Sequence, residues 1–236
     1  DGRAHLVVDP MERDQATASG LDHSTLTQHG WLQRVEREPR PARAWGGLIA
    51  DVLEQMGIGG RVAFFGELPA GFAWELIGTV REKRPGLVVD DSHPDVLTLA
   101  RSTKEPHEIE AIRRASQGVL AAWNALRTYV GALRRDGDTL VNGHGPVKLG
   151  DLRALLNREF VTRGLEGGES IVSQGRDAGV PHNRGNDDEL LRPGSPVIVD
   201  IFPGEAGGGY FSDFTRTFCV GRAPDELRKV YDDVHA

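Results

Sequence analysis

The chain has 236 residues, 39% hydrophobic and 27% charged, with a formal net charge of −7. That composition supports a folded core and excludes a disordered chain. The acidic balance also argues against a general nucleic-acid binder, which needs a basic surface to displace counterions. The single cysteine, Cys219, excludes an intramolecular disulfide. It lies in strand-like sequence and reads as a small buried hydrophobe rather than a nucleophile. No apolar run reaches the length of a membrane span, and no signal peptide is visible, so a cytoplasmic protein with no membrane partner is expected.

In chain order, DGRAHLVVDP reads as a turn followed by a strand at Leu6–Pro10. Residues 43–57 carry Trp45, Leu48, Ile49, Val52, Leu53 and Met56 at helical spacing and close on Gly57. RVAFFG, Arg61 to Gly66, reads as a strand, Phe72 to Arg81 as a weaker helix, and GLVVDD, Gly86 to Asp91, as another strand. Alternating strands and helices predict a sheet with helices packed on it. No glycine fingerprint for a nucleotide follows these strands.

RST at 101–103 reads as a junction, giving domains at 1–102 and 103–236. Ser102 and Glu105 have capping-box spacing, and Pro106 falls in the first turn. The long helix that follows carries Ile109, Ile112, Val119, Leu120, Trp123, Leu126, Val130 and Leu133 as one stripe and stops by Asp136–Asp138. A second helix spans about Lys148 to Arg163, with Leu149, Leu152, Leu155, Leu156 and Phe160 inside and Gly164 as its stop. The remainder is rich in strands and loops. At the end, APDELRKVYDDVHA begins a helix with Leu227, Val230, Tyr231 and Val234 in register. Both ends read as cut, so the chain is expected to be a fragment of a longer protein.

Two segments carry the chemistry. VIVDIF ends a β-branched run on Asp200, and YFSDFTRTF embeds Asp213 in aromatic and β-branched sequence, against strand propensity. PGEAGGG between them predicts an antiparallel hairpin. Pairing around Ala206 and Gly207 sets Asp200 directly across from Asp213, with β-carbons about 5 Å apart. Two carboxylates that close stay ionised only around a positive charge, and a divalent metal supplies one. Hard oxygens favour Mn²⁺ or Mg²⁺, and a histidine ligand admits Co²⁺, Fe²⁺ or Zn²⁺. The competing reading ends a strand on Asp200 and pairs Asp213 with Arg216. Strand alternation weakens it, because three residues apart means opposite faces. The glycines at 207–209 lack the Gly-Lys-Ser/Thr of a phosphate loop. Tyr210 reads as core or pocket wall, Arg216 as hairpin support, and His144 as structural.

The run VIVDIF…GGGYFSDFTRTFCVG, followed by APDELRKVYDDV, resembles the metal-binding hairpin of the creatinase/aminopeptidase P family. These are the "pita-bread" metallopeptidases, which include Xaa-Pro aminopeptidase and prolidase. RSTKEPHEIEAIRRAS resembles the opening of their catalytic domain, and PHNRGNDDELLRPGSPVIVD resembles the histidine loop before the first metal aspartate. The resemblance implies an α+β fold: a partial pita-bread catalytic domain preceded by part of a small creatinase-like α/β domain. It implies Asp200 as ligand of one metal ion, Asp213 as the bridging ligand of two, and His182 as the non-ligand histidine that stabilises the reacting carbonyl. It implies hydrolysis of Xaa-Pro peptide bonds with two divalent ions, Mn first and Co, Fe or Zn next, and a homodimer of the kind common in the family. One histidine and two glutamates complete the family's ligand set further along, so this fragment by itself is expected to be inactive. The hairpin is about two residues longer than usual, and Phe202 stands where a glycine is common. The alternative is a pita-bread protein that binds peptides or proteins without catalysis. A creatinase-like amidinohydrolase lacks the two aspartates.

Overall fold

A computed structural model describes residues 4–90, 92 and 94–235. The turn expected over Asp1–Arg3 and the strand end at Asp91 lie outside them. The chain divides into two compact units, residues 1–103 and residues 104–236.

The first unit runs β1 (His5–Val8), α1 (Arg13–Ala18), β2 (Asp22–Thr25), α2 (Trp31–Arg37), α3 (Pro41–Gln55), β3 (Arg61–Val62), α4 (Ala70–Lys83), β4 (Val88–Val89) and α5 (Val96–Ser102). Instead of the one sheet expected, β1–β2 and β3–β4 form two separate parallel pairs. The strand expected over Arg61–Gly66 is cut to two residues. The core is mostly helical: Ala42, Leu76 and Val80 are buried together with Leu87 just before β4, with Trp45, Ile49, Leu53 and Phe72 packed around them. α3 and α4 approach closely at Gly46, where a β-carbon would meet the Leu76 carbonyl oxygen at 2.6 Å. Gly57 closes α3 with φ +66°, and the N–H groups of Gly57 and Ile58 return to the carbonyls of Glu54 and Leu53. That double bond is the Schellman geometry, which needs a left-handed residue at that position.

The second unit runs α6 (Pro106–Gly131), β5 (Arg134–Asp136), β6 (Thr139–Asn142), β7 (Gly145–Pro146), α7 (Leu149–Val161), β8 (Leu165–Glu166), β9 (Ile171–Gln174), β10 (Pro196–Ile201), β11 (Gly204–Glu205), β12 (Phe214–Cys219) and α8 (Asp225–His235). The N-cap of α6 is Glu105, not Ser102, with Glu108 closing the capping box; Ser102 instead ends α5. Its buried face is a seam of Ala111, Ala115, Gly118, Val119, Ala122, Leu126 and Val130. Ile109 and Leu120, assigned to the inner stripe from spacing, are 40% and 48% exposed. Small residues take the inner face because the chain behind them comes close: a β-carbon on Gly118 would lie 2.6 Å from Leu165 Cδ1.

α6 and α7 cover one face of a three-stranded antiparallel sheet ordered β12–β10–β9. β10 alternates strictly: Val197, Val199 and Ile201 are buried in the helix-facing core, while Ile198 and Asp200 are half-buried on the other face. That alternation is the period of a strand with one covered face. It fixes on which side Asp200 is displayed.

Candidate metal site on the β10–β12 hairpin

The hairpin register differs from the one expected. Asp200 pairs with Thr215 and Ile201 with Phe214. The same register continues past the strand ends, where Ser212 N donates to Pro203 O at 3.1 Å and Glu205 N to Tyr210 O at 3.1 Å. Asp213 therefore stands opposite Phe202, not Asp200. The turn is the cause. Gly207, Gly208 and Gly209 all take positive φ, at 81°, 97° and 149°, so the reversal centres on the glycines and moves one residue towards β12. Moving the centre by one residue shifts each partner by two, which preserves the face. Asp200 and Asp213 remain on one side as diagonal neighbours, a relationship that sets residues about 7–8 Å apart in such a ladder.

Both carboxylates face away from the helices. Asp200 is half-buried and Asp213 exposed. Asp200 Oδ1 accepts a 2.6 Å hydrogen bond from Thr215 Oγ1. Among the described residues neither aspartate has a cationic partner. Arg216 points to the opposite face, with its guanidinium carbon 4.1 Å from the Phe214 ring centroid and its Nη1 donating to Thr215 O at 2.7 Å. The Asp213–Arg216 ion pair is thus absent, and Arg216 supports the hairpin. Cys219 ends β12 half-buried, and burial raises its thiol pKa, as suits an inert side chain.

His182 lies in the turn Val180–Asn183, closed by Asn183 N donating to Val180 O at 3.1 Å. It is exposed, and at φ 63° it is the one non-glycine among the described residues with positive φ. Its loop is tied to the sheet that carries Asp200. Val172 N on β9 donates to Arg184 O, and β9 pairs Ile171 with Asp200. Gly185 sits so close that a β-carbon there would lie 2.2 Å from Val172 O. From α7, Arg153 donates to Arg184 O at 2.7 Å, to Asp187 Oδ1 at 2.8 Å and to Ser170 O. Sequence reasoning missed Arg153; its only signal is a charged residue flanking the Leu149–Leu152–Leu156 stripe.

The donor set suits a hard divalent ion, since two carboxylates share a face with no cation from the described residues between them. It does not complete a site: among the described residues no three His, Cys, Asp or Glu side chains gather closely enough to hold a metal. His182 is not brought into a cluster with the aspartates.

The family model for metallopeptidase family M24 matches residues 110–236, more than half of the chain. The chain belongs to metallopeptidase family M24. Members of this family use divalent metal ions, in accord with the carboxylate pair. The M24 chain is 34% identical over 138 residues to the probable dipeptidase PepE of Mycobacterium tuberculosis, covering 58% of this chain and 33% of that protein. Among solved structures it resembles the Xaa-Pro dipeptidase from Bacillus anthracis, with TM-score 0.71 and 19% identity over 98% of this chain and 56% of the other. It also resembles the prolidase from Pyrococcus furiosus, with TM-score 0.67 and 19% identity over 98% and 57%. These likenesses bear out the pita-bread α+β fold. The M24 chain spans a third of the curated relative and a little over half of the solved structures. No described helix is long and apolar enough to cross a membrane.

Proposed function

We propose that the whole protein is an Xaa-Pro dipeptidase or aminopeptidase that works with two divalent ions, held in part by Asp200 and Asp213. The observation that carries this reading is the pair of aspartates displayed on one face of the hairpin with no cation among the described residues to neutralise them. Bound divalent ions would supply an activated water and polarise the scissile carbonyl. Manganese suits the carboxylates best, with cobalt, iron or zinc next. Asp200 is held by Thr215 with one oxygen engaged and the other available. Asp213 has no hydrogen-bond partner among the described residues, which leaves its carboxylate oxygens available to the ions. His182, exposed on a turn of fixed geometry, would donate a hydrogen bond to the carbonyl oxygen as charge builds on it. Two aspartates are too few to hold two ions, so this chain by itself is inactive in our reading.

In the same reading the first unit is a creatinase-like domain and the second the catalytic domain. The protein is cytoplasmic and acts as a homodimer on peptides, with no nucleic-acid or membrane partner. The test uses the intact protein: metal content and Xaa-Pro hydrolysis are measured for wild type and Asp213→Asn. Loss of both in the variant is expected. Unchanged metal content in Asp213→Asn would overturn the ligand assignment. A wild type that holds metal but cleaves no Xaa-Pro peptide would favour a peptide-binding module without catalysis.

A further inference from the structure

Asp213 lies just outside the ladder. β12 begins at Phe214, and the segment before it follows three glycines in positive φ, a backbone that loses much freedom when fixed. Main-chain contacts to this segment are few: Tyr210 O and Ser212 N bond to the facing strand end, and Phe211 bridges Gly204. Something else must set where the Asp213 carboxylate points.

Helix α6 supplies it. Residues 210, 212, 214 and 218 share one face of the strand and its extension, and α6 engages them in order. Glu108 Oε1 accepts from the Tyr210 hydroxyl. Ser116 Oγ lies 3.1 Å from Ser212 Oγ. Trp123 packs on Phe214 and Phe218 at ring-centroid distances of 5.7 and 6.0 Å. Glu108 and Ser116 are eight residues apart, about 80° from one another around the axis, so both fall within one broad face of α6. Each contact holds a residue whose neighbour in sequence faces the other way, and Asp213 is flanked by two such residues: Ser212, hydrogen-bonded to Ser116, and Phe214, packed on Trp123. Glu108 is itself fixed, since its Oε2 accepts from Glu105 N at 2.7 Å in the capping box. Glu205 adds a tie, accepting from Tyr210 N at 3.1 Å and from Arg114 at 3.4 Å.

We propose that Glu108 and Ser116 are positioning residues for the metal site, holding Asp213 through Tyr210 and Ser212. Neither touches the ion or the substrate. The inference rests on Asp213 being a ligand, and its test separates the two claims. Co²⁺ is titrated into the metal-free intact protein and followed by its visible absorption. Tyr210→Phe, which removes one hydroxyl, is expected to weaken Co²⁺ binding about 10-fold, as loss of a group that orients a ligand commonly does. Ser116→Ala is expected to weaken it about 3-fold. Glu108→Gln keeps an acceptor for Tyr210 and a capping-box partner, and should rescue binding where Glu108→Ala does not. A purely structural role would lower stability without altering the Co²⁺ spectrum or its affinity. Wild-type affinity and spectrum in both Tyr210→Phe and Ser116→Ala would overturn the proposal; if Tyr210→Phe does not fold, Ser116→Ala decides. Wild-type affinity in Asp213→Asn would instead overturn the ligand assignment.

Discussion

Thr215 Oγ1 donates a 2.6 Å hydrogen bond to Asp200 Oδ1 across a directly opposed pair of the β10–β12 ladder. The bond engages one carboxylate oxygen and fixes the side-chain rotamer, leaving Oδ2 for another partner. Thr215→Val preserves the β-branched shape and removes the donor. In the intact protein it should weaken Co²⁺ affinity about 10-fold. Thr215→Ser restores the donor and should recover most of the loss in the same titration.

Arg153 is four-fifths buried and reaches three acceptors on the histidine loop and the start of β9. Removing it leaves the carbonyls of Ser170 and Arg184 without that donor. Arg153→Met keeps the apolar stem, so the loss isolates the guanidinium. A decrease of about 2–3 kcal/mol in unfolding free energy is expected from urea melts. Amide exchange across residues 180–187 should rise by more than in α6, because the lost bonds converge on that loop.

The long elements were legible because their signals repeat. α7 shows four buried leucines and a buried phenylalanine at helical spacing, and Gly164 follows with φ +68°. The two aspartates stand out in the sequence as charges among strand-forming residues. The register does not, because a run of three glycines admits several turn centres and only the backbone selects one. In the first unit the expected helices and strands fall where the sequence places them, but the single sheet does not form. Strands as short as Arg61–Val62 and Val88–Val89 carry too little alternation to show their length or their partners. The cap of α6 was missed because glutamate is not among the preferred capping residues, so Ser102 attracted the assignment. The ties of Glu108 to Tyr210 and of Arg153 to Arg184 span 102 and 31 residues, and no local pattern announces them.

Gly185 tests how tightly the histidine loop is pressed on β9. At φ +74°, with a β-carbon position 2.2 Å from Val172 O, alanine there must push the loop from the strand and adopt a left-handed backbone as well. Gly185→Ala should lose at least about 3 kcal/mol of stability. Gly143, where a β-carbon meets nothing within 4 Å and φ is not positive, provides the control, and its alanine variant should melt within about 3 °C of wild type.

The Glu108–Tyr210 bond carries a pH signature. The Tyr210 hydroxyl, and next the Glu105 backbone N–H, hold the Glu108 carboxyl below its usual 4.5. A depressed carboxylate contributes stability above its unfolded pKa and loses it as pH falls through the folded value. The hydrogen bond to Glu108, with burial, raises the Tyr210 phenol above its usual 10.0. Its contribution is complete below 10 and fades as pH rises through the raised value. Thermal melts of wild type and Tyr210→Phe should therefore differ by a constant amount across neutral pH, and the gap should narrow below about pH 4. A gap independent of pH down to 3 would mean that Glu108 is not the acceptor that matters.

The chemical role proposed for His182 comes with a backbone cost at φ 63°, and two substitutions separate them. A β-carbon in the left-handed region costs about 1–2 kcal/mol, which glycine avoids. His182→Gly should thus be more stable than His182→Ala by about 1 kcal/mol in thermal or urea melts. Both lack the imidazole, so both should lose kcat about 100-fold or more on an Xaa-Pro dipeptide while keeping wild-type metal content. The stability order reports the turn, and the shared loss of kcat reports the donor. Near wild-type kcat in His182→Gly would show that the left-handed turn, and not the imidazole, is what this position provides.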